Sequence, residues 1–201
     1  MIRAVIFDTE TTGLPRDKHV PANNQKGNWP DIVSISWRVY ENSVCRKKEN
    51  YIIKPDGWTI PAESTRIHGI TPAMAAEGVS LQSALGAFCD DIATAQIIVA
   101  HNLSFDKQVV LNALKWRLGL RTVAWSPLAD MCTGILSTND LKLPFMGRNV
   151  PGNYKMPSLK ELYRATFSTD DPPGAHNSAR DVEVLEEIVL KRWPTLLLGR
   201  V

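Results

Sequence analysis

VIFDTETTG, residues 5–13, is an apolar, β-branched run that ends in Asp8 and Glu10, with threonines and Gly13 around them. Such a run predicts a buried strand, here from Ile2 to Phe7. Side chains on a strand alternate between faces, so residues two apart point the same way. Asp8 and Glu10 would then stand side by side at the strand's exit, both negative and both close to the core. Like charges at that range repel, and a fold avoids the arrangement unless something positive sits between them.

Working outward, Ile32–Tyr40 and Cys45–Ile53 predict two further strands. The first alternates, with Ile32, Ser34 and Ser36 on one side and Val33, Ile35 and Trp37 on the other. Glu41, Asn42 and Ser43 supply a polar hairpin connection. Residues 81–94 and Ser104 to about Leu118 predict helices, with a short buried strand, QIIVA (96–100), between them. VAWSPLAD (123–130) is the candidate fifth strand. Pro157, Ser158 and Glu161 open a helix with a capping box, and a last helix is expected from about Ser178 to Arg192. Hairpin strands followed by alternating helix and strand indicate an α/β domain with a mixed, five-stranded central sheet flanked by helices, occupying 1–201 as one unit. Two Pro- and Gly-bearing surface loops interrupt it, at about 15–30 and 138–156.

Two later acids fall on apolar faces. Asp106 precedes Val109, Val110 and Ala113 by three, four and seven residues, and Asp181 precedes Leu185 and Ile188 by four and seven. Both therefore head inward-facing stripes. Acids rarely face a core unless paired or holding metal. Asp8 and Glu10 end a strand while Asp106 and Asp181 begin helices, and an α/β sheet collects its ligands at those ends. Four converging carboxylates would hold hard divalent cations through oxygen. Each acid also has a plain alternative. Asp8 alone suits a strand end, Asp106 suits a helix dipole, Ser178 and Asp181 have capping-box spacing, and His176 suits a surface. Their joint occurrence favours the metal.

FDTETTGL (7–14), AHNLSFD (100–106) and HNSARD (176–181) together resemble the three motifs of the DnaQ-like 3′→5′ exonucleases, the DEDD nucleases of the RNase H-like fold. The five-residue step from His176 to Asp181 is similar to the histidine branch, DEDDh, and RIHGIT (66–71) resembles a further family segment. The resemblance runs from the first strand to the last helix; the loops at 15–30 and 138–156 depart from it. It implies removal of nucleoside 5′-monophosphates from the 3′ end of single-stranded nucleic acid, DNA favoured over RNA, with a polymerase or another replication or repair protein as a possible partner. It also implies two Mg2+ ions, with Mn2+ as a substitute, held by Asp8, Glu10, Asp106 and Asp181, and His176 as general base. Thr11, Thr12, Gly13 and Leu14 would meet the terminal nucleotide, as would Asn102 and His68; packing of its turn is an equal reading for His68. Arg16, Lys18 and Lys26 in the first loop, and Lys142, Arg148 and Lys155 in the second, are candidates to track phosphates, although a solvated surface explains most of them singly. Trp29 is expected to anchor its loop, and Glu183, Glu186 and Glu187 to face solvent.

The remaining alternatives are an RNA-trimming exoribonuclease of the same family, a HAD-type phosphatase and an inactive nucleic-acid-binding module. The phosphatase motif wants a second Asp where Glu10 stands, and the inactive module predicts loss of a ligand or the histidine. The net charge of +2 permits a polyanionic partner without demanding one. No apolar run reaches the length of a membrane span, and MIRAVIFDT is not expected to be a signal peptide. Cys45, Cys89 and Cys132 are scattered, without a CxxC pair, as expected of reduced residues in a cytoplasmic protein rather than structural zinc ligands.

Overall fold

The computed structural model describes residues 2–120, 125–145, 152–169 and 177–198. Its centre is a five-stranded sheet: β1 (Arg3–Thr11), β2 (Ile32–Glu41), β3 (Val44–Ile52), β4 (Ile97–Ala100) and β5 (Ala129–Cys132), in the order β3-β2-β1-β4-β5. The first three strands are antiparallel, whereas β4 runs parallel to both β1 and β5. The mixed α/β sheet expected from the sequence is the one observed. The β2–β3 hairpin turns on Asn42 and Ser43, both at positive φ, the backbone that a two-residue type I′ turn requires.

Helices cover both faces. Val5, Phe7, Ile35, Trp37 and Ile98 pack with α3 (Leu81–Ala93) and α4 (Leu103–Asn112). Ala4, Ile6, Tyr40, Ile97 and Val99 pack with α7 (Ser178–Arg192) and α8 (Thr195–Leu198). Period two along β1 thus sends alternate residues into two separate cores. Trp37 is fully buried in the first and donates its indole N–H to Asp91 at 2.8 Å. Its replacement by Ala should cost about 3–5 kcal/mol.

Several sequence expectations shift. β1 continues to Thr11 rather than stopping at Phe7, so Asp8 and Glu10 lie inside the strand and are held in register against Ser36 and Ser34. The fifth strand is Ala129–Cys132, later than the expected 123–130, of which 123 and 124 lie outside the described residues. Part of the supposed irregular stretch 138–156 is helical, because α5 spans Thr133–Leu141. Two short helices, α1 (Ala62–His68) and α2 (Pro72–Ala76), were not expected. The helix from Ser104 to Leu118 is α-helical only to Asn112 and closes in a π-helical turn, Ala113–Arg117. α6 (Leu159–Phe167) carries the expected capping box of Ser158 and Glu161. α7 is capped by Asn177 and not by Ser178, since the Asn177 side chain accepts from the Ala179 N–H at 3.0 Å. Glu183 and Glu187 are half-exposed and paired with Arg38 and Arg180, whereas Glu186 is enclosed by Arg38 and the Tyr40 hydroxyl.

Candidate active site

The carboxylates gather where the pairing of β1 with β4 runs out. That pairing stops at Ile6 and Val99, leaving the C-terminal half of β1 with one free edge. α4 starts three residues after β4 ends and swings Asp106 into that edge. The Thr9 backbone N–H donates to Asp106 Oδ1 at 3.1 Å, and the Thr9 hydroxyl donates to the same oxygen at 2.6 Å. Asp106 is 3% exposed. Burial lifts its carboxyl to about 7, and the two Thr9 bonds oppose the rise.

Asp8 and Glu10 point to the other face, toward α7, whose first turn carries Asp181. One carboxylate oxygen from each of Asp8, Glu10 and Asp181 lies within 4.8 Å of the others. Burial raises the Asp8 carboxyl well above the usual range, and the Asp106, Glu10 and Asp181 charges add to the rise. Glu10 is pushed up to about 8 by burial first and then by Asp181 and Asp106. Among the described residues no hydrogen bond offsets either rise. An oxygen-only, acidic, half-buried donor set of this kind suits a hard divalent cation. The Asp8–Glu10 pair read from the first strand thus acquires its third carboxylate from the helix packed on the same face.

Hydroxyl groups lock α7 at this position. Ser178 is buried, and its Oγ lies 2.8 Å from Ser34 Oγ and 2.8 Å from Ser36 Oγ, the residues cross-strand from Glu10 and Asp8. Thr9, Ser34, Ser36 and Ser178 were not singled out from the sequence as site residues. The signal was present nonetheless: Ser34 and Ser36 are small polar residues sharing one face of a strand whose Ile32–Trp37 stretch is otherwise apolar and aromatic.

Beyond Glu10 the chain kinks. The β1–β2 register shifts between Glu10 and Thr11. The Thr11 hydroxyl donates to the Gly13 carbonyl at 2.7 Å, and Gly13 sits at φ +147. Leu14 is then left 82% exposed. Leu14, Arg16 and Lys18 face Asn102 and Phe105 across a concavity of about 530 Å³. Asn102 also borders a second concavity of about 560 Å³, lined by Lys155 and Lys160 among others. Asn102 adopts a left-handed conformation as N-cap of α4, yet its side chain makes no capping bond, a strained placement of the kind found at ligand sites. The neighbouring His101 donates from Nε2 to the Pro157 carbonyl at 2.9 Å and meets the Thr133 hydroxyl through Nδ1 at 3.0 Å, tying α5 and α6 to this corner. Trp29 is buried and donates to the Val20 carbonyl at 2.8 Å, an anchor as expected.

His68 lies apart from the carboxylates' hydrogen bonds. It is 4% exposed, its Nδ1 accepts the Ile70 N–H at 3.1 Å, and its Nε2 is buried without a partner among the described residues. That geometry is the turn-packing reading of this residue. His176 and Arg148 lie outside the described residues.

Residues 5–189 match the exonuclease family of the RNase T type. The chain belongs to this family. A DNA polymerase III subunit epsilon-like protein of Rhodobacter capsulatus is 36% identical over 104 residues, which is 51% of this chain and 13% of that protein. Among solved structures, exonuclease X in complex with 5′ overhanging duplex DNA is 24% identical with a TM-score of 0.56, covering 94% of this chain and 92% of that one. The zinc-bound E. coli exonuclease I complex with single-stranded DNA is 18% identical with a TM-score of 0.67, covering 98% of this chain and 42% of that one. An exonuclease I from Methylocaldum szegediense is similar to the same extent of this chain, with a TM-score of 0.65 and 18% identity. These likenesses establish the RNase H-like fold expected from the motifs. No described helix is long and apolar enough to cross a membrane.

Proposed function

We propose that this exonuclease-family chain removes nucleotides from the 3′ end of single-stranded nucleic acid, DNA in preference to RNA, with two magnesium ions as cofactors. The observation that carries the proposal is the convergence of Asp8, Glu10 and Asp181 within 4.8 Å, beside a buried Asp106. The DNA bound to exonuclease X and to exonuclease I supports the choice of polymer. The epsilon-like relative supports a polymerase as partner, and the three free cysteines suit a reducing compartment.

Asp8, Glu10 and Asp181 would hold one ion, and Asp106, oriented by Thr9, would help hold the second. When bound, the ions neutralise the phosphoryl charge and activate the attacking water. The chain's own groups do the rest. Thr11, Thr12 and Gly13 fix the terminal nucleotide through the backbone of the kinked segment, and Leu14, standing free in solvent, packs on its base. Asn102 contacts the strand at the corner between the two concavities. His176 takes the proton of the attacking water at a reference pKa of about 6.5. The whole chain acts as one exonuclease domain.

The test is incubation with 5′-labelled single-stranded DNA, matched RNA and a duplex with a 5′ overhang, in magnesium, manganese or EDTA. The expected result is a ladder shortening from the 3′ end, fastest on single-stranded DNA, abolished by EDTA, by Asp181→Ala and by His176→Ala. Shortening from the 5′ end, or none on any polymer in either metal, would overturn the proposal.

A further inference from the structure

The loop at 15–30 reads in sequence as a surface segment anchored by Trp29, and in the structure it is also docked along one helix. The Ala22 N–H donates to Gln108 Oε1 at 2.6 Å, the Trp116 indole N–H to the Ala22 carbonyl at 2.8 Å, and Lys115 Nζ to the Asn23 carbonyl at 2.6 Å. At its mouth the Thr12 N–H donates to the Asp31 carbonyl at 3.0 Å, and the Asp31 N–H donates back to the Thr12 hydroxyl at 3.0 Å. Arg117 closes the chain of contacts: its Nε and a terminal nitrogen each lie 2.6 Å from the two Asp31 carboxylate oxygens. The same helix carries Asp106 in its first turn.

The π-helical turn makes this reach possible. On a regular α-helix at 3.6 residues per turn, Arg117 would lie about 140° round from Asn112, away from the loop. An i→i+5 turn fits more residues into one revolution, and the Leu118 N–H indeed bonds to the Ala113 carbonyl at 3.0 Å. Arg117 thereby returns to the side on which Gln108 and Asn112 already meet the loop.

We propose that Arg117 is a positioning residue for substrate binding, acting through Asp31 on Thr12; this rests on the exonuclease reading above. The planar guanidinium fixes the orientation of Asp31 in a way that a point charge does not. Asp31 in turn holds Thr12 on both its backbone N–H and its hydroxyl, and so sets the kinked Thr11–Gly13 segment that meets the terminal nucleotide. A purely stabilising ion pair is the competing account, because Arg117 and Asp31 are 35% and 15% exposed and pairs at such sites contribute little by themselves.

The experiment compares wild type, Arg117→Ala, Arg117→Lys, Thr12→Val and the double variant Arg117→Ala/Thr12→Val, measuring KM and kcat on a labelled single strand together with Tm. Arg117→Ala should raise KM about tenfold with kcat changed far less. Arg117→Lys should recover Tm more than KM. The double variant should bind no worse than the weaker single one, because both changes cut the same chain of contacts. An Arg117→Ala protein with lowered Tm and unchanged KM, or two KM effects that multiply, would overturn the inference. A wild-type protein that shortens no strand fails the exonuclease reading instead.

Discussion

Asp106 and Glu10 reach the same end of the sheet from opposite faces, and their surroundings treat them differently. Asp106 arrives on a helix and is met by two donors from Thr9. Glu10 is fixed by its strand, with carboxylates for neighbours and, among the described residues, no donor to offset them. Both are lifted by burial, to about 7 for Asp106 and about 8 for Glu10. The two Thr9 bonds oppose the rise at Asp106 and pre-aim its carboxylate, while at Asp8 and Glu10 the neighbouring carboxylates add to the rise, a repulsion that a bound proton or a cation relieves. Stability and function pull against each other at that second group.

The sharpest way to break this contrast is Asp8→Asn. The substitution keeps the shape, removes a charge from the crowded side and removes a metal ligand. Hydrolysis should fall on the order of 10³-fold or more, while Tm in EDTA at pH 8 should rise above wild type. A variant that loses activity and also loses stability would argue that Asp8 is satisfied by something other than a cation.

Thr9→Val addresses the other side. It preserves β-branching but leaves Asp106 one donor short, so activity should drop about 10–100-fold, with little change in KM. Equal loss in Asp8→Asn and Thr9→Val would erase the distinction between the two groups.

The pH response follows from the raised carboxyls. A folded pKa above the unfolded one means that the folded state holds its proton more tightly. That contribution is present at low pH and is lost as pH climbs from the ordinary values, 3.8 and 4.5, through about 7 for Asp106 and about 8 for Glu10. In EDTA, wild-type Tm should therefore decline relative to Asp8→Asn between about pH 4 and pH 8, and magnesium should restore it at the upper end. A wild-type curve parallel to that of the variant would contradict the repulsion.

The smallest effect is expected at Ser178→Ala. It leaves the Ser34 and Ser36 hydroxyls without their shared partner, at a cost of about 1–3 kcal/mol, and loosens the start of α7 enough to lower activity a few-fold. Differential scanning calorimetry and a steady-state assay check the two halves.

Much of this site was legible because its elements carry strong periodic signals. The run before Asp8 and the stripes behind Asp106 and Asp181 each place an acid on a definite face, and the alternation from Ile32 to Tyr40 marks the strand beside them. Ser158 and Glu161 announced the start of α6 correctly. The identical spacing at Ser178 and Asp181, the plain alternative for that acid, is not the observed cap, because Asn177, one residue earlier, takes it and leaves Ser178 to bond to Ser34 and Ser36 on the sheet. Helix α2 does carry a start signal, Thr71 before Pro72, but it is only five residues long and shows no periodic stripe. α5 lacked one, since TGILSTNDL has poor helix formers and a glycine. Glu186 resembled its solvated neighbours because its cation, Arg38, comes from a distant strand. The docking of the 15–30 loop was hidden for a related reason: it rests on side-chain contacts across some ninety residues and on a π-turn that leaves no periodic trace.

The central claim is that Asp8, Glu10 and Asp181 exist to hold a divalent cation. Its most direct test is a crystal soaked in manganese, with the anomalous difference density located. The account predicts a peak among the oxygens of these three side chains, with a second toward Asp106 once a strand is bound. Full activity in manganese with no peak at the three carboxylates, or a peak elsewhere, would contradict it.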